Sequence, residues 1–426
     1  MKTLSDLLVL NSKQVVTPMD YGSPRCGQEM NTLKVIPDGA VAIKSGIIQS
    51  VDTTTNILKN YISRVSLDAT NKVITPGLVD CHTHIVFAGS RIDEFIMRTK
   101  GISYLEIARN DGGIMSTVRA TRNASDDELY NLGFTRINKM LEHGTTCAEA
   151  KSGYGLTLND EIKQLKTIKR LNALRVIDLV PTFLGAHSIP PASEISRNNY
   201  INLIIKEMIP KVAKLKLARF CDVFSDKCAF SYSEAEKILT CAKEYGLLPK
   251  IHADEFTCQS GAQLAAKISA ISADHLLKIN DKGIKSLSRK GITAVLLPLT
   301  GLYLGVSMFA PARKLINSNV PVAIGTDFNP GSSVSLNMQL AMSIACIQMN
   351  MTPNESLTAA TLNSAYSIGE NKNRGSLEPG KYADLVIWTL KRYESIMYQI
   401  GTNQISTVIK NGKISFVNFK NSSCFD

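Results

Sequence analysis

Few of the usual signatures of catalysis occur in this chain of 426 residues. It contains one tryptophan and six histidines, and it lacks GxSxG, P-loop and HExxH motifs, so serine hydrolase, kinase and zincin functions have no support. Its nine cysteines are scattered without a CxxC pair, which is typical of reduced thiols in a cytosolic protein. Glycine and proline, at 27 and 15 residues, exclude a fibrous or low-complexity chain. We therefore expect a globular, cytoplasmic protein with a large core.

Basic side chains exceed acidic ones, but they are nowhere concentrated. The 48 basic and 37 acidic residues give a net charge of +11. The densest basic cluster, at 206–219, alternates with aliphatic residues and predicts a solvated helix face. The first residues lack the apolar run of a signal peptide, and prolines and glycines interrupt the uncharged segment between residues 290 and 313. We therefore expect neither a nucleic-acid partner nor a membrane partner.

Short apolar runs alternate with amphipathic helical patterns between residues 70 and 370. Several runs are continuously apolar, as is typical of parallel strands that are covered on both faces. The eight predicted strands are 78–81, 145–149, 176–183, 220–224, 248–251, 271–273, 292–297 and 320–324. Capping boxes mark three helix starts, at Ser125 with Glu128, Ser233 with Glu236, and Thr352 with Glu355. The pattern predicts an α/β protein built on a (β/α)8 barrel of the TIM type.

The two ends of the chain have a different pattern. Strand-like runs occur at 6–10, 40–43 and 47–51, and again at 383–388, 405–410 and 412–417. Neither end alone makes a convincing domain. We therefore predict that residues 1–74 and 376–426 combine into one small β-sandwich domain, with the barrel at 75–375.

The six histidines are few enough to be considered one by one, and five end or follow a predicted strand. Active groups of a parallel barrel lie at the carboxyl ends of its strands. His82 and His84 are two residues apart in an extended segment, so both imidazoles can reach one metal ion. His252 ends the fifth strand and Asp327 ends the eighth. Three imidazoles and a carboxylate suit Zn²⁺ or Fe²⁺ and leave room for a water molecule.

These residues lie in stretches that resemble the imidazolonepropionases, a family of the amidohydrolase superfamily. The matching stretches, in the family's order, are 76–91 (PGLVDCHTHIVFAGSR), 151–156 (KSGYGL), 183–187 (FLGAH), 252–255 (HADE), 272–275 (SADH) and 326–332 (TDFNPGS). The resemblance implies a metal-dependent hydrolase of histidine degradation. Such an enzyme opens the ring of 4-imidazolone-5-propanoate to give N-formimidoyl-L-glutamate. The resemblance also implies one divalent metal per chain, Zn²⁺ or Fe²⁺/Fe³⁺, and a homodimer.

The resemblance implies roles for individual residues. The metal ligands would be His82, His84, His252 and Asp327. Glu255 and His275 would transfer protons, and Asp327 would accept a proton from the attacking water. The substrate would be bound by Arg91, Tyr104, Tyr154, His187, Glu255, Asn329, Gly331 and Ser332. Among these, Arg91 is the natural bidentate partner for the propionate group.

Some features leave alternatives open. Ser225 and Asp226 stand where the family has cysteine and glutamate, and Leu299 follows Pro298 where the family has glycine. A two-metal site with a carboxylated lysine would use Lys227, and Lys151 is the other lysine near a strand end. For the function, the alternatives are a deaminase acting on another heterocycle and a non-catalytic binding protein. A group able to bind a carboxylate favours the ring opener, and a complete ligand set argues against a non-catalytic barrel.

Overall fold

The computed structural model describes residues 2–102, 106–107, 112–305 and 308–418. Eight parallel strands form one sheet in which each strand pairs with the next along the chain. These barrel strands 1 to 8 are Leu78–Asp80, Thr145–Lys151, Asp178–Ala186, Phe220–Ser225, Leu248–Ala253, Ser272–His275, Thr293–Leu296 and Val322–Ile324. Every predicted strand is present, with its ends shifted by a few residues. The prediction of a (β/α)8 barrel is confirmed.

The barrel closes between strand 8 and strand 1, just beyond their carboxyl ends. The backbone N–H of Asp327 donates to the carbonyl of His82, and that of His84 donates to the carbonyl of Phe328, both at 2.9 Å. Asp80 accepts hydrogen bonds from the backbone N–H and the hydroxyl of Thr326. The closure brings the two candidate ligand segments, from opposite ends of the barrel sequence, into direct contact.

Helices follow the barrel strands, and those described bury apolar side chains in the core, except for Ile92–Thr99, which has no buried residue. The helices of this part are Ile92–Thr99, Ile114–Asn123, Asp126–Glu142, Leu158–Asn172, Arg197–Leu203, Ile209–Lys214, Tyr232–Glu244, Gly261–Ile268, Asp281–Lys290, Pro298–Leu304, Ala312–Asn317, Met338–Met349, Pro353–Ala360 and Leu362–Ser367. A π-helical turn, Ile204–Met208, joins the fifth and sixth of them. Within the described ranges, none of the helices has both the length and the apolar character needed to cross a bilayer.

Two of the three predicted capping boxes are confirmed, those that begin the helices Asp126–Glu142 and Pro353–Ala360. The box at Ser233 is wrong, because the helix Tyr232–Glu244 begins two residues earlier. Ser231 is the N-cap, and the Glu234 carboxylate accepts a hydrogen bond from its backbone N–H at 2.8 Å. Both reading frames have the Ser-x-x-Glu spacing. The observed frame has an additional contact, because Arg197 donates two hydrogen bonds of 2.7 and 2.6 Å to Glu234 and holds that carboxylate at the first turn.

A second sheet is built from both ends of the chain. In spatial order its strands are Lys413–Val417, Ile405–Lys410, Leu385–Trp388, Val73–Pro76, Leu7–Thr17, Lys34–Lys44 and Ile47–Thr53, with Ser66–Asp68 also paired to Leu7–Thr17. Thr3–Leu4 pairs separately with Tyr61–Ile62, and the remaining helices are Gly27–Asn31 (3-10), Thr54–Asn60 and Ser395–Tyr398.

The sheet curls so that the start of its edge strand Ile47–Thr53 lies against the segment that leads into Leu385–Trp388, around an aliphatic core. The N–H of Ile48 donates to the carbonyl of Lys381 at 2.9 Å, and that of Ala383 donates to the carbonyl of Gly46 at 2.8 Å. The prediction that both chain ends build one small β domain is confirmed. The exact domain boundaries stay a prediction.

Candidate active site

Four side chains that the sequence singled out as metal ligands converge where barrel strands 1 and 8 meet. The Nε2 atoms of His82 and His84 each lie 3.5 Å from Oδ1 of Asp327. The ring of His252 lies 4.6 Å from that of His82 and 5.8 Å from that of His84, measured between centroids. The other oxygen of Asp327 accepts a 2.7 Å hydrogen bond from the Thr300 hydroxyl, which fixes the carboxylate.

The donor atoms of this cluster fit a divalent metal ion. Among the described residues, Nε2 of His82, Nδ1 of His84 and Nε2 of His252 are buried without a hydrogen-bond partner. Buried polar atoms are rarely left without a partner, so the unpartnered Nε2 atoms of His82 and His252 in neighbouring rings indicate a missing ligand. Burial lowers the pKa of His82 and of His84 well below the usual range, so both imidazoles are neutral with lone pairs available. Ligand atoms of His82, His84 and Asp327 all lie within 4.8 Å of one another.

Two carboxylates behind the cluster orient its histidines. Oδ2 of Asp274 lies 2.6 Å from Nδ1 of His82, and Oδ2 of Asp222 lies 2.9 Å from Nδ1 of His252. A carboxylate at Nδ1 directs Nε2 of the same ring outward and raises its basicity as a ligand. Neither carboxylate was predicted from the sequence as a site residue. Their signal was an aspartate inside an otherwise apolar strand, at Asp222, and an aspartate directly before His275.

A fully buried charge cluster underlies these carboxylates. Nζ of Lys151 lies 2.7 Å from Asp222, 2.9 Å from Glu149 and 3.6 Å from Asp274. Lys250 lies 3.0 Å from Glu149 on the other side. Burial by itself would lower the pKa of Lys151, but the three carboxylates raise it above its usual value.

The two lysines considered for a two-metal site therefore have different surroundings. Carboxylation of a lysine requires a neutral amine, whereas Lys151 is held as an ammonium by its carboxylate neighbours. The side chain of Lys227 is exposed, and its backbone N–H binds Asp226. Neither arrangement favours the two-metal alternative.

Glu255 and His275 lie beside the ligand cluster with oppositely shifted pKa values. Oε1 of Glu255 is 3.4 Å from Nδ1 of His275, and the His275 ring is 5.1 Å from that of His252. Burial, together with Asp327 and Asp226, raises the pKa of Glu255 well above its usual range. Burial lowers the pKa of His275 to about 3. Shifts in opposite directions are typical of paired acid and base groups.

The backbone at these positions is strained, which is common where a site imposes geometry. His275 and Asp327 adopt left-handed φ values of 76° and 53°. Such conformations cost roughly 1–3 kcal/mol each for residues with a side chain, and they persist where the surroundings fix them.

The two departures from the family pattern lie in loops that support the site. Asp226 accepts hydrogen bonds from the backbone N–H groups of Phe256 and Thr257, at 2.9 and 3.1 Å, and so fixes the segment after Glu255. Pro298 begins the helix that carries Thr300, the residue that holds Asp327. Both loops therefore support residues of the candidate site, although their sequences depart from the family pattern.

The residues predicted to contact the substrate lie in three places. The His187 ring stacks on that of His84 at 4.9 Å, and Tyr154 lies 5.3 Å from His187. Nε and Nη2 of Arg91 donate to one oxygen of Glu94, at 2.9 and 2.7 Å. Tyr104 lies outside the described residues.

The loop after strand 8 carries three further predicted contacts, Asn329, Gly331 and Ser332, and Arg91 packs against this loop. Oδ1 of Asn329 accepts hydrogen bonds from the N–H groups of Gly331 and Ser332, both at 2.8 Å. A Cβ at Gly331 would stand 2.0 Å from Nη1 of Arg91, so only glycine leaves room for the guanidinium. The loop is therefore organised by Asn329 and open to Arg91 at Gly331.

Comparison with known proteins agrees with this geometry. The sequence profile of the amidohydrolase family matches residues 73–415. The imidazolonepropionase of Geobacillus thermodenitrificans is 46% identical over 413 residues, which cover 96% of this chain and 97% of that protein. The imidazolonepropionase of Brevibacillus brevis is 47% identical over 396 residues, covering 92% and 93%.

Solved structures share the fold. An adenosine deaminase from Xanthomonas campestris with bound zinc has a TM-score of 0.74 at 21% identity, covering 98% of this chain and 94% of that one. E. coli guanine deaminase has a TM-score of 0.70 at 16% identity, covering 96% and 99%. The low sequence identities to these two structures show a shared fold only. The two imidazolonepropionases, in contrast, are 46% and 47% identical to this chain over nearly its whole length. The resemblance seen in the motifs is confirmed, and this metal-dependent hydrolase belongs to the imidazolonepropionase family of the amidohydrolases.

Proposed function

We propose that this chain hydrolyses a ring C–N bond of 4-imidazolone-5-propanoate and forms N-formimidoyl-L-glutamate. The observation that carries the proposal is the convergence of unpartnered imidazole nitrogens, a carboxylate and a proton-transfer pair at one end of the barrel. Curated relatives at 43–47% identity bear the name imidazolonepropionase, which supports this substrate.

In this proposal one metal ion, Zn²⁺ or Fe²⁺/Fe³⁺, would be held by His82, His84, His252 and Asp327. When bound, such an ion would lower the pKa of a coordinated water toward about 7 and would polarise a substrate carbonyl. Thr300 keeps the Asp327 carboxylate in place, so that one of its oxygens can accept a proton from the attacking water. Asp274 and Asp222 keep the Nε2 atoms of two ligand histidines directed at the same point.

Glu255 and His275 divide the remaining proton chemistry. The raised pKa of Glu255 favours its protonated form, which can donate a proton to the departing ring nitrogen. His275 is neutral because burial lowers its pKa to about 3, so its ring can orient the attacking water or hydrogen-bond the developing oxyanion. A cavity of about 400 Å³ opens beside Glu255 and Thr300.

Binding of the propionate group falls to Arg91, whose guanidinium Glu94 holds against the loop after strand 8. A guanidinium is suited to a carboxylate because it offers two parallel donors. We assign the heterocycle to Tyr154 and His187, next to His84, and the remaining contacts to Tyr104, Asn329, Gly331 and Ser332. A homodimer, a cytoplasmic location and the absence of nucleic-acid and membrane partners remain predictions.

The test is a product analysis with 4-imidazolone-5-propanoate and the metal-loaded protein. Ring opening adds one water and releases nothing, so N-formimidoyl-L-glutamate should form without free ammonia. A deaminase would release one ammonia per turnover, and a binding protein would leave the substrate unchanged at full metal occupancy. Either result would refute the proposal.

A further inference from the structure

Lys151 stands at a junction that the proposed chemistry does not use. Its side chain is fully buried, and Nζ lies 2.7 Å from Oδ2 of Asp222 and 3.6 Å from Oδ2 of Asp274. The same two oxygens face Nδ1 of His252, at 2.9 Å, and Nδ1 of His82, at 2.6 Å. One ammonium thus bridges two carboxylate–histidine pairs that come from four different barrel strands.

The bridge has a physical consequence for the two pairs. Buried carboxylates repel each other strongly unless a cation lies between them, and Glu149 adds a third negative charge 2.9 Å from Lys151. Each carboxylate oxygen has lone pairs for both the ammonium and an imidazole N–H. Without Lys151, the pair Asp222 and Asp274 would move apart or change partners, and the imidazole rings would lose their fixed orientation.

We propose that Lys151 is a positioning residue of the metal site, which sets metal affinity by holding Asp222 and Asp274 against the ligand histidines. The inference rests on the proposed ligand set, in which His82 and His252 bind the metal. Carboxylates that orient a ligand histidine are each worth about 10- to 100-fold in metal affinity. Lys151 holds two of them at once, so its removal should lower the affinity by at least about tenfold.

Lys250 is a matched control within the same cluster. It is equally buried and carries the same charge. Its Nζ lies 3.0 Å from Glu149 and 3.3 Å from the Cys81 carbonyl, but 3.9 Å from Asp274. If Lys151 contributed only to general stability, Lys250 should contribute in the same way. Only Lys151, however, bridges Asp222 and Asp274.

The experiment compares Zn²⁺ affinity with stability in Lys151→Met and Lys250→Met. Each full-length variant is titrated with Zn²⁺ against a competing chelator, and the melting temperature of its metal-free form is recorded. We expect both variants to melt at lower temperature, and only Lys151→Met to lose about tenfold or more in Zn²⁺ affinity. An unchanged affinity in Lys151→Met, or an equal loss in Lys250→Met, would overturn the inference.

Two further variants keep the test decisive. If Lys151→Met does not fold, the double variant Lys151→Met/Glu149→Gln removes the ammonium at constant cluster charge, and the same loss of affinity is expected. His252→Ala tests the ligand set separately. If His252→Ala loses Zn²⁺ while the Lys151 variants retain it, this inference alone fails. If His252→Ala binds Zn²⁺ as tightly as the unmodified protein, the ligand set is wrong, and the inference fails with it.

Discussion

Substitution of Gly331 by alanine should weaken substrate binding through Arg91 without changing the metal site. The added Cβ would stand 2.0 Å from Nη1 and 2.7 Å from Cζ of Arg91. Carbon atoms in contact are normally about 3.5–4.0 Å apart, so the guanidinium must move by more than about 1 Å. Gly331 has no left-handed φ, so the alanine backbone itself is unstrained. The bonds to Glu94 resist the movement, because they hold Nε and Nη2 at 2.9 and 2.7 Å.

The size of the effect follows from the contact that is lost. A hydrogen bond to a charged partner is worth about 1.5–3 kcal/mol. At about 1.4 kcal/mol per factor of ten, this corresponds to about a 10- to 100-fold increase in KM. The propionate lies away from the breaking bond, so ground state and transition state should lose the contact equally, and kcat should change little.

Steady-state kinetics of Gly331→Ala, Arg91→Ala and the double variant test this reasoning, with metal content measured on each. If alanine at 331 acts by displacing Arg91, the double variant should have the same KM as Arg91→Ala alone. An unchanged KM in Gly331→Ala would refute the steric argument. Independent, multiplying effects in the double variant would show that Gly331 acts on the substrate by another route. An unchanged KM in Arg91→Ala would remove that residue from the substrate site.

Three further predictions concern the metal, proton transfer and pH. Elemental analysis should find about one tightly bound metal ion per chain, and two would revive the two-metal alternative. Glu255→Gln should keep the metal but lose about 10²–10⁴-fold in kcat, whereas His252→Ala should lose metal and turnover together; a metal-free Glu255→Gln protein would make Glu255 a ligand. The hydrogen bonds from Arg197 lower the pKa of Glu234 to about 2. The pair therefore stabilises the fold at pH values above the usual carboxylate pKa, and this stabilisation is lost as the pH falls toward 2. In urea unfolding at neutral pH, Arg197→Ala should lower the free energy of unfolding by about 1 kcal/mol or less, because solvent screens this largely exposed pair. The decrease should be smaller near pH 3, and a decrease that grows in acid would contradict the assignment.

The sequence by itself determined the eight strands, the composite second domain and the proposed ligand residues. Each of these depends on local order along the chain. The alternation of side chains in an extended segment is enough to direct His82 and His84 to one side, and both reach the same Asp327 oxygen. Continuous apolar runs indicated parallel strands because such strands are buried on both faces. The barrel architecture then placed the three candidate ligand histidines together, because the carboxyl ends of all barrel strands lie at one end of the barrel.

Only the tertiary structure decided which charged groups support the site. Lys151, Asp222 and Asp274 belong to three different strands, and no sequence spacing relates them, yet their charged atoms lie within 3.6 Å of Lys151 Nζ. Likewise, Arg197 binds Glu234 in the first turn of the helix Tyr232–Glu244, a contact between segments that are distant in the sequence. The physical reason for this difference is that the periodicity of apolar residues along the chain specifies only which face of a helix or strand is buried. The pairing of buried charges depends on distances across the barrel, which exist only once the strands have assembled.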